Sequence, residues 1–164
     1  CTVLAARGLI DNDNPLMIAN SDQYVDCEID AYLDGMDASG VDGYIMTMRA
    51  DSPKWSFVGL DADGLATRVV EKEVISDEAT VGIYNFRRGA DFVASVEAMI
   101  AADARVNGEF YVAPAYNQLI GAGQRIGIHN IGEDGAGMHG LGIPSDLDAF
   151  LALPLSMRAV ESAA

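Results

Sequence analysis

Lysine is nearly absent: the 164 residues contain two, Lys54 and Lys72, against a formal net charge of −15. A field of that sign repels a polyanion, which argues against DNA or RNA as a partner. Cysteine is scarce too. Cys1 and Cys27 are too few for a disulfide framework, and no Cys/His cluster has the spacing of a metal site. No apolar run is long enough to cross a bilayer and no signal-peptide pattern is visible, so a cytoplasmic protein that meets no membrane is expected. Methionine is missing at the start. The chain opens at Cys1, inside what reads as a helix. Part of a longer protein is therefore expected, with a processed or lipid-modified Cys1 as the alternative.

Half of the residues are hydrophobic, enough to fill one core, so residues 1–164 are read as a single domain. The acidity is that of a solvated surface, such as one tuned for salt. If the ligand carries phosphate, its positive partners must be local: Lys72, Arg87, Arg88 or a bound metal. Association between identical copies is left open.

The chain is organised around Pro15–Gln23 (PLMIANSDQ). Leu16 to Ala19 is a short apolar run, and Asn20, Ser21, Asp22 and Gln23 follow at once. The pattern predicts a buried parallel strand whose end drops polar groups into a crevice, where ligands of open α/β sheets bind. Asp22 there can hold a divalent cation such as Mg2+ against phosphate oxygens. An Asx turn or a helix cap accounts for the same residue.

Further along, Asp26 is a plausible cap for a helix carrying Ile29, Leu33 and Met36, ending near Gly40. Tyr44–Met48 reads as a strand. Ser56–Leu60 and Leu65–Val70 flank Asp61-Ala62-Asp63-Gly64, a strong hairpin signal. Ala79–Phe86 is a strand with Gly82 in its interior, which marks a close approach by a ligand or another backbone. Ala90–Arg105 is helical by its apolar spacing. Glu109–Ile120 is expected to be a helix kinked at Pro114. Arg125–Ile131 alternates as a strand, Gly132–Gly142 reads as a flexible loop, and Pro144 opens a last helix.

Several groups of residues carry candidate chemistry. Glu71 can accept sugar hydroxyls and Lys72 can hold a phosphate as a point charge. On a regular strand these neighbours point to opposite faces, so sharing a ligand requires the backbone to leave strand geometry there. A plain surface pair is the alternative. Glu109 is a hydroxyl acceptor or a first-turn helix charge. Trp55 and Ser56 form a sugar platform or a loop anchor. Asn20, Ser21 and Gln23 add hydrogen-bonding capacity. His129 and His139 read as incidental, since nothing nearby makes a triad or a zinc set.

Taken in order, LMIANSDQ (16–23), PKWSFV (53–58), DADG (61–64), VEK (70–72), ATVGIYNF (79–86), NGEFYVA (107–113) and GLGIPSDL (140–147) resemble the sugar-phosphate nucleotidyltransferases. The likeness is to a bacterial branch found with capsule and surface-polysaccharide genes and often loosely labelled as glycosyltransferases. It implies a Rossmann-like nucleotidyltransferase fold: α/β, with a mixed, mainly parallel sheet and an inserted β-hairpin, its N-terminal strands missing. It implies transfer of a nucleotidyl group from a nucleoside triphosphate to a sugar 1-phosphate, with release of pyrophosphate and with Mg2+ as cofactor. By that likeness Asp22 is a metal ligand and Lys72 a phosphate contact, both catalytic. Glu71 and Glu109 are sugar contacts, and Gly82 lets the sugar reach the backbone.

The sequence departs from the family's pattern in specific places. The N-terminal Gly-rich loop and the Lys that follows it are not present. Gly140 stands where the family usually has a second metal-binding Asp. Trp55-Ser56 replaces the common Tyr-Gly, which bears on the choice of sugar. Two other readings compete. A glycosyltransferase of the related nucleotide-sugar-binding fold commonly carries Asp-x-Asp, which Ser21-Asp22-Gln23-Tyr24 does not match. A nucleotide-sugar-binding subunit without turnover would keep the fold and need neither missing piece.

Overall fold

The computed structural model describes residues 2–161, so the expectations drawn from Cys1 lie outside the described residues. A 3-10 turn over Thr2–Ala6 runs into α1 (Arg7–Ile10), the helical start expected there. The strands β1 (Leu16–Ala19) and β2 (Gln23–Val25) follow, then α2 (Ile29–Ser39) and β3 (Gly43–Arg49). The hairpin is β4 (Ser56–Leu60) and β5 (Ala66–Glu71). Next come β6 (Glu78–Phe86), α3 (Gly89–Ala101), a 3-10 turn over Ala113–Ala115 and α4 (Tyr116–Gly121). The chain ends in β7 (Ile126–Asp134), β8 (Gly137–Gly140), α5 (Pro144–Leu151) and α6 (Pro154–Glu161). No helix among the described residues is long and apolar enough to cross a membrane.

One sheet in the order β2-β8-β7-β3-β6-β4-β5 carries these strands, with β1 also paired to β6. The mixed α/β sheet with its inserted hairpin is as expected, but its parallel share is smaller. Among the described residues β3 pairs in parallel with β7, and β7 with β8 over a short ladder. The other pairings are antiparallel.

Apolar side chains fill both faces. On one, Ile45, Tyr84 and Phe86 pack against Phe92 and Val96 of α3 and Tyr116 of α4. On the other, Met46, Met48, Val81 and Ile83 pack with Tyr32 and Met36 of α2. Cover on both sides is why β3 and β6 read as nearly unbroken apolar runs.

Several expectations are corrected. The β1 strand is neither parallel nor buried: it runs antiparallel to β6, and its residues alternate between half-buried and exposed. Only β6 borders it among the described residues, so Leu16 and Ile18 face the core while Met17 is 46 % exposed. The cap residue of α2 is Glu28, not Asp26, and it makes no side-chain cap bond. Residues 109–112 are not helical. Val106 and Glu109 close a tight bridge, and helical structure starts only with the 3-10 turn at Ala113, with Pro114 in its first positions. The stretch read as a loose glycine loop contains the end of β7 and all of β8. Its glycines are there because backbones touch: a side chain on Gly132 or Gly137 would collide with the carbonyls of Ala136 or Ile131.

Buried phenols tie the layers together. The Tyr32 hydroxyl donates to the Tyr44 carbonyl at 2.8 Å, and Tyr116 donates to the Asn85 carbonyl at 2.8 Å. Burial holds Tyr32 and Tyr116 well above the ordinary phenol range and pushes Tyr84 up to about 12. Above pH ~10 the unfolded chain therefore releases protons that the folded protein still holds, so stability falls as pH rises. Stability should be intact below pH ~10 and decline from there towards about 12. Denaturant titrations at stepped pH measure this. Ionisation of Tyr32, Tyr84 and Tyr116 ahead of unfolding, seen by NMR of the ring carbons, would contradict it.

Candidate active site

The hairpin builds one wall of the site. At its tip the Asp61 carboxylate accepts from the N–H groups of Asp63 and Leu65, both at 2.9 Å, which fixes the turn and hence the register. At its base that register sets Ser56 opposite Glu71, and the Ser56 hydroxyl donates to the Glu71 carboxylate. The next residue breaks the strand. Lys72 has φ +60°, and its N–H donates to the Trp55 carbonyl at 3.0 Å. A left-handed conformation costs a residue with a side chain roughly 1–2 kcal/mol. It is the departure from strand geometry that a shared role for Glu71 and Lys72 requires.

Glu71 remains in the wall of a cavity of about 360 Å³. Lys72 turns to Tyr111, donating to its hydroxyl at 3.0 Å, and that hydroxyl donates to Glu109 Oε2 at 2.6 Å. The Tyr111 hydroxyl, and beyond it Glu71 and Glu109, hold the Lys72 ammonium above its usual range, so it stays charged.

Asn20, Ser56, Glu71 and Gly82, drawn from four separate segments, line this cavity. Gly82 has φ +83°, and a first side-chain carbon there would collide with the Asn20 amide, its Cγ only 2.8 Å away. The close approach expected at Gly82 is thus made by the side chain of Asn20. Trp55, Phe110 and Val112 supply apolar surface. Thr80 and Tyr84, whose hydroxyls lie 3.0 Å apart, add to the polar lining, as do Lys54 and Tyr111. A carboxylate, an amide and hydroxyls among aromatic rings suit a hydroxylated ring.

The other candidates lie elsewhere. Lys72 and Glu109 are joined to the cavity through Tyr111, which lines it. Ser21, Asp22 and Gln23 do not line it. The Asp22 carbonyl accepts from Leu141 N–H at 2.8 Å. Asp22 Oδ2 lies 2.8 Å from where a side chain on Gly142 would begin. The exposed Asp22 carboxylate has no hydrogen-bond or ion-pair partner among the described residues. Nor do three or more His, Cys, Asp or Glu side chains gather anywhere among them. Mg2+ takes one or two carboxylates when phosphate oxygens and water complete its shell, so Asp22 beside a bare glycine turn fits that donor set.

Arg87 and Arg88 are engaged in the fold. Arg87 donates to the Val41 carbonyl at 2.7 Å and the Met36 carbonyl at 3.3 Å, at the end of α2. Arg88 grips Asp91 at 3.0 and 2.5 Å. Of the expected cations that leaves Lys72, beside the cavity, while Lys54 itself stands in the cavity wall. Thr80, Tyr84 and Tyr111 were not picked out from the sequence. The first two share Gly82's strand face at a spacing of two, a signal that alternation carries.

No protein-family model matches the chain, and no curated protein matches it. Solved structures do. A nucleoside-diphosphate-sugar pyrophosphorylase from Vibrio cholerae RC9 superposes with a TM-score of 0.73 at 26 % identity, over 92 % of this chain and 60 % of that one. The chain has the nucleotidyltransferase fold. A protein from Bacillus anthracis assigned as a glucose-1-phosphate thymidylyltransferase, solved with sucrose, shows the same fold at a TM-score of 0.69 and 15 % identity. The chain spans 60 % and 56 % of the lengths of these two neighbours.

The Gly82 contact is directly testable. Gly82→Ala should lower stability by about 1–3 kcal/mol in urea titrations, from left-handed strain and the collision with Asn20 together. In the Asn20→Ala background only the Cβ contact at 3.3 Å remains, and the cost should shrink towards the strain alone. An equal cost in both backgrounds would show that Asn20 does not occupy that space.

Proposed function

We propose that the protein transfers a nucleotidyl group from a nucleoside triphosphate to a sugar 1-phosphate and releases pyrophosphate. One observation carries this reading: a single cavity joins Asn20, Ser56, Glu71 and Gly82, with the charged Lys72 tethered at Tyr111 beside it. The neighbours' fold and names support it. The resemblance to the capsule-associated branch makes nucleotide-sugar supply for surface polysaccharide the proposed setting, in the cytoplasm where nucleoside triphosphates are found.

The roles follow from chemistry. Glu71, held by Ser56, accepts hydroxyls of the sugar, and the Asn20 amide offers both a donor and an acceptor. Glu109 keeps Tyr111 in place, and Tyr111 in turn orients the Lys72 ammonium towards phosphate oxygens. In-line attack by the sugar phosphate on the α-phosphorus needs alignment and charge neutralisation more than covalent help. Asp22 would hold Mg2+, which when bound neutralises phosphate charge and orients the triphosphate. Ser21 and Gln23 flank that carboxylate as further polar contacts.

A second reading rests on a specific observation. Gly140 provides no carboxylate beside Asp22, so the same cavity would serve a nucleotide-sugar-binding subunit without turnover. Both are tested on the full-length protein by following pyrophosphate release. Turnover should require a nucleoside triphosphate, a sugar 1-phosphate and Mg2+ together. Glu71→Gln should raise KM for the sugar phosphate, and Asp22→Asn should lower kcat roughly 100-fold or more. Unchanged turnover in Asp22→Asn removes the metal role. Tight nucleotide-sugar binding by calorimetry with no turnover favours the binding subunit.

A further inference from the structure

A second cavity, of about 410 Å³, is lined by Lys54, Asp134, His139, Asp146, Phe150 and Leu153. That volume lies in the range of small-molecule sites, roughly 300–1,000 Å³. Lys54 stands in the walls of both cavities: its ammonium lies 4.5 Å from the Trp55 ring centre and 3.1 Å from Asp134 Oδ2.

His139 is the informative residue. It sits on β8 opposite Tyr24 of β2 and is 8 % exposed. Its ring is flanked by Phe150 at 5.4 Å and Tyr24 at 6.3 Å. Among the described residues neither of its nitrogens has a hydrogen-bond partner. Those nitrogens are not sealed away from solvent, and His139 is one of the residues that line the cavity. The Asp146 carboxylate, in the first turn of α5, also has no partner among the described residues.

We propose that this second cavity binds a neutral hydroxylated ring, a monosaccharide or cyclic polyol. A neutral imidazole offers one donor and one acceptor, Lys54 donates, and Asp146 only accepts. A hydroxyl serves all of these, because it both donates and accepts. Phosphate or another anion would face Asp134 and Asp146 against Lys54 alone. An organic cation would meet the unpaired Asp146 carboxylate, since Lys54 is paired with Asp134, but would leave the imidazole N–H without an acceptor. Phe150 provides an apolar face for the C–H side of a ring. The cavity also takes in Gly140 and so adjoins the region proposed for the metal, but its lining is argued without nucleotidyl transfer.

The protein can be read by NMR through the assigned ring signals of His139, with those of His129 as the internal control. Glucose, N-acetylglucosamine and myo-inositol are titrated as neutral probes, with choline, inorganic phosphate and Mg2+ as charged ones. At least one neutral probe should shift the His139 ring signals saturably and leave His129 unmoved. Asp146→Asn, an exposed change that should leave the His129 signals in place, should weaken that binding about tenfold or more. If only choline moves His139, the site is cationic and the proposal falls. If only Mg2+ or phosphate moves it, the cavity belongs to the metal and phosphate region near Asp22, and the proposal falls equally. Absence of a saturable shift with every probe also overturns it.

Discussion

Strand β6 constrains everything around it. It pairs with β3 along one edge and with β1 and β4 along the other, and residues 79–86 are buried on both faces. A strand enclosed in this way holds its backbone at fixed heights, so a side chain placed against it is placed accurately. The cavity is built on the one irregularity in that strand. At Gly82 the chain turns to φ +83°, the register with β3 shifts nearby, and the Asn20 amide occupies the space a side chain would fill. A polar group thus reaches the cavity wall without opening the core.

The second irregularity answers the first. Lys72 takes a left-handed conformation where β5 ends, and its neighbour Glu71 stays bonded to Ser56. Adjacent residues on a strand serve opposite faces. The kink lets one contribute to the cavity while the next reaches Tyr111 at 3.0 Å. Neither position is maintained by a large apolar contact, since Lys72 is at the surface and Ser56 is small. Both depend on the hairpin register, which Asp61 fixes at the far end.

How much of this could be read beforehand follows from the range of the forces involved. The hairpin was legible because Asp61 to Gly64 is local turn chemistry. The α3 helix was legible because Phe92, Val93, Val96 and Met99 repeat at helical spacing, and they are buried as expected. Asn20, Ser56, Glu71 and Gly82 were legible as strand ends and a strand glycine. What failed was long-range. Glycines at 132 and 137 looked like looseness because the sequence does not show that two backbones press together there. Glu109 looked like a helix start because the Val106–Glu109 bridge is invisible to periodicity. The role of Tyr111 is hidden for the same reason, since its partners Lys72 and Glu109 meet it only once that bridge forms.

The distribution of positive charge carries the last step. A chain of net charge −15 with two lysines has little to spend on an anionic ligand. A solvated acidic surface gives no reason for either lysine to sit anywhere in particular. Instead Lys54 lines both cavities, and Lys72 is tethered through Tyr111 to the first. The arginines nearest in sequence to β6 are absorbed by α2 carbonyls and by Asp91. At physiological salt, charges more than about 8 Å apart are largely screened. A phosphate beside the first cavity would therefore sense Lys54 and Lys72 more strongly than the acidic surface at large. The acidity of the whole and anion binding at one place are then compatible, because the first acts at a distance that salt removes and the second at contact.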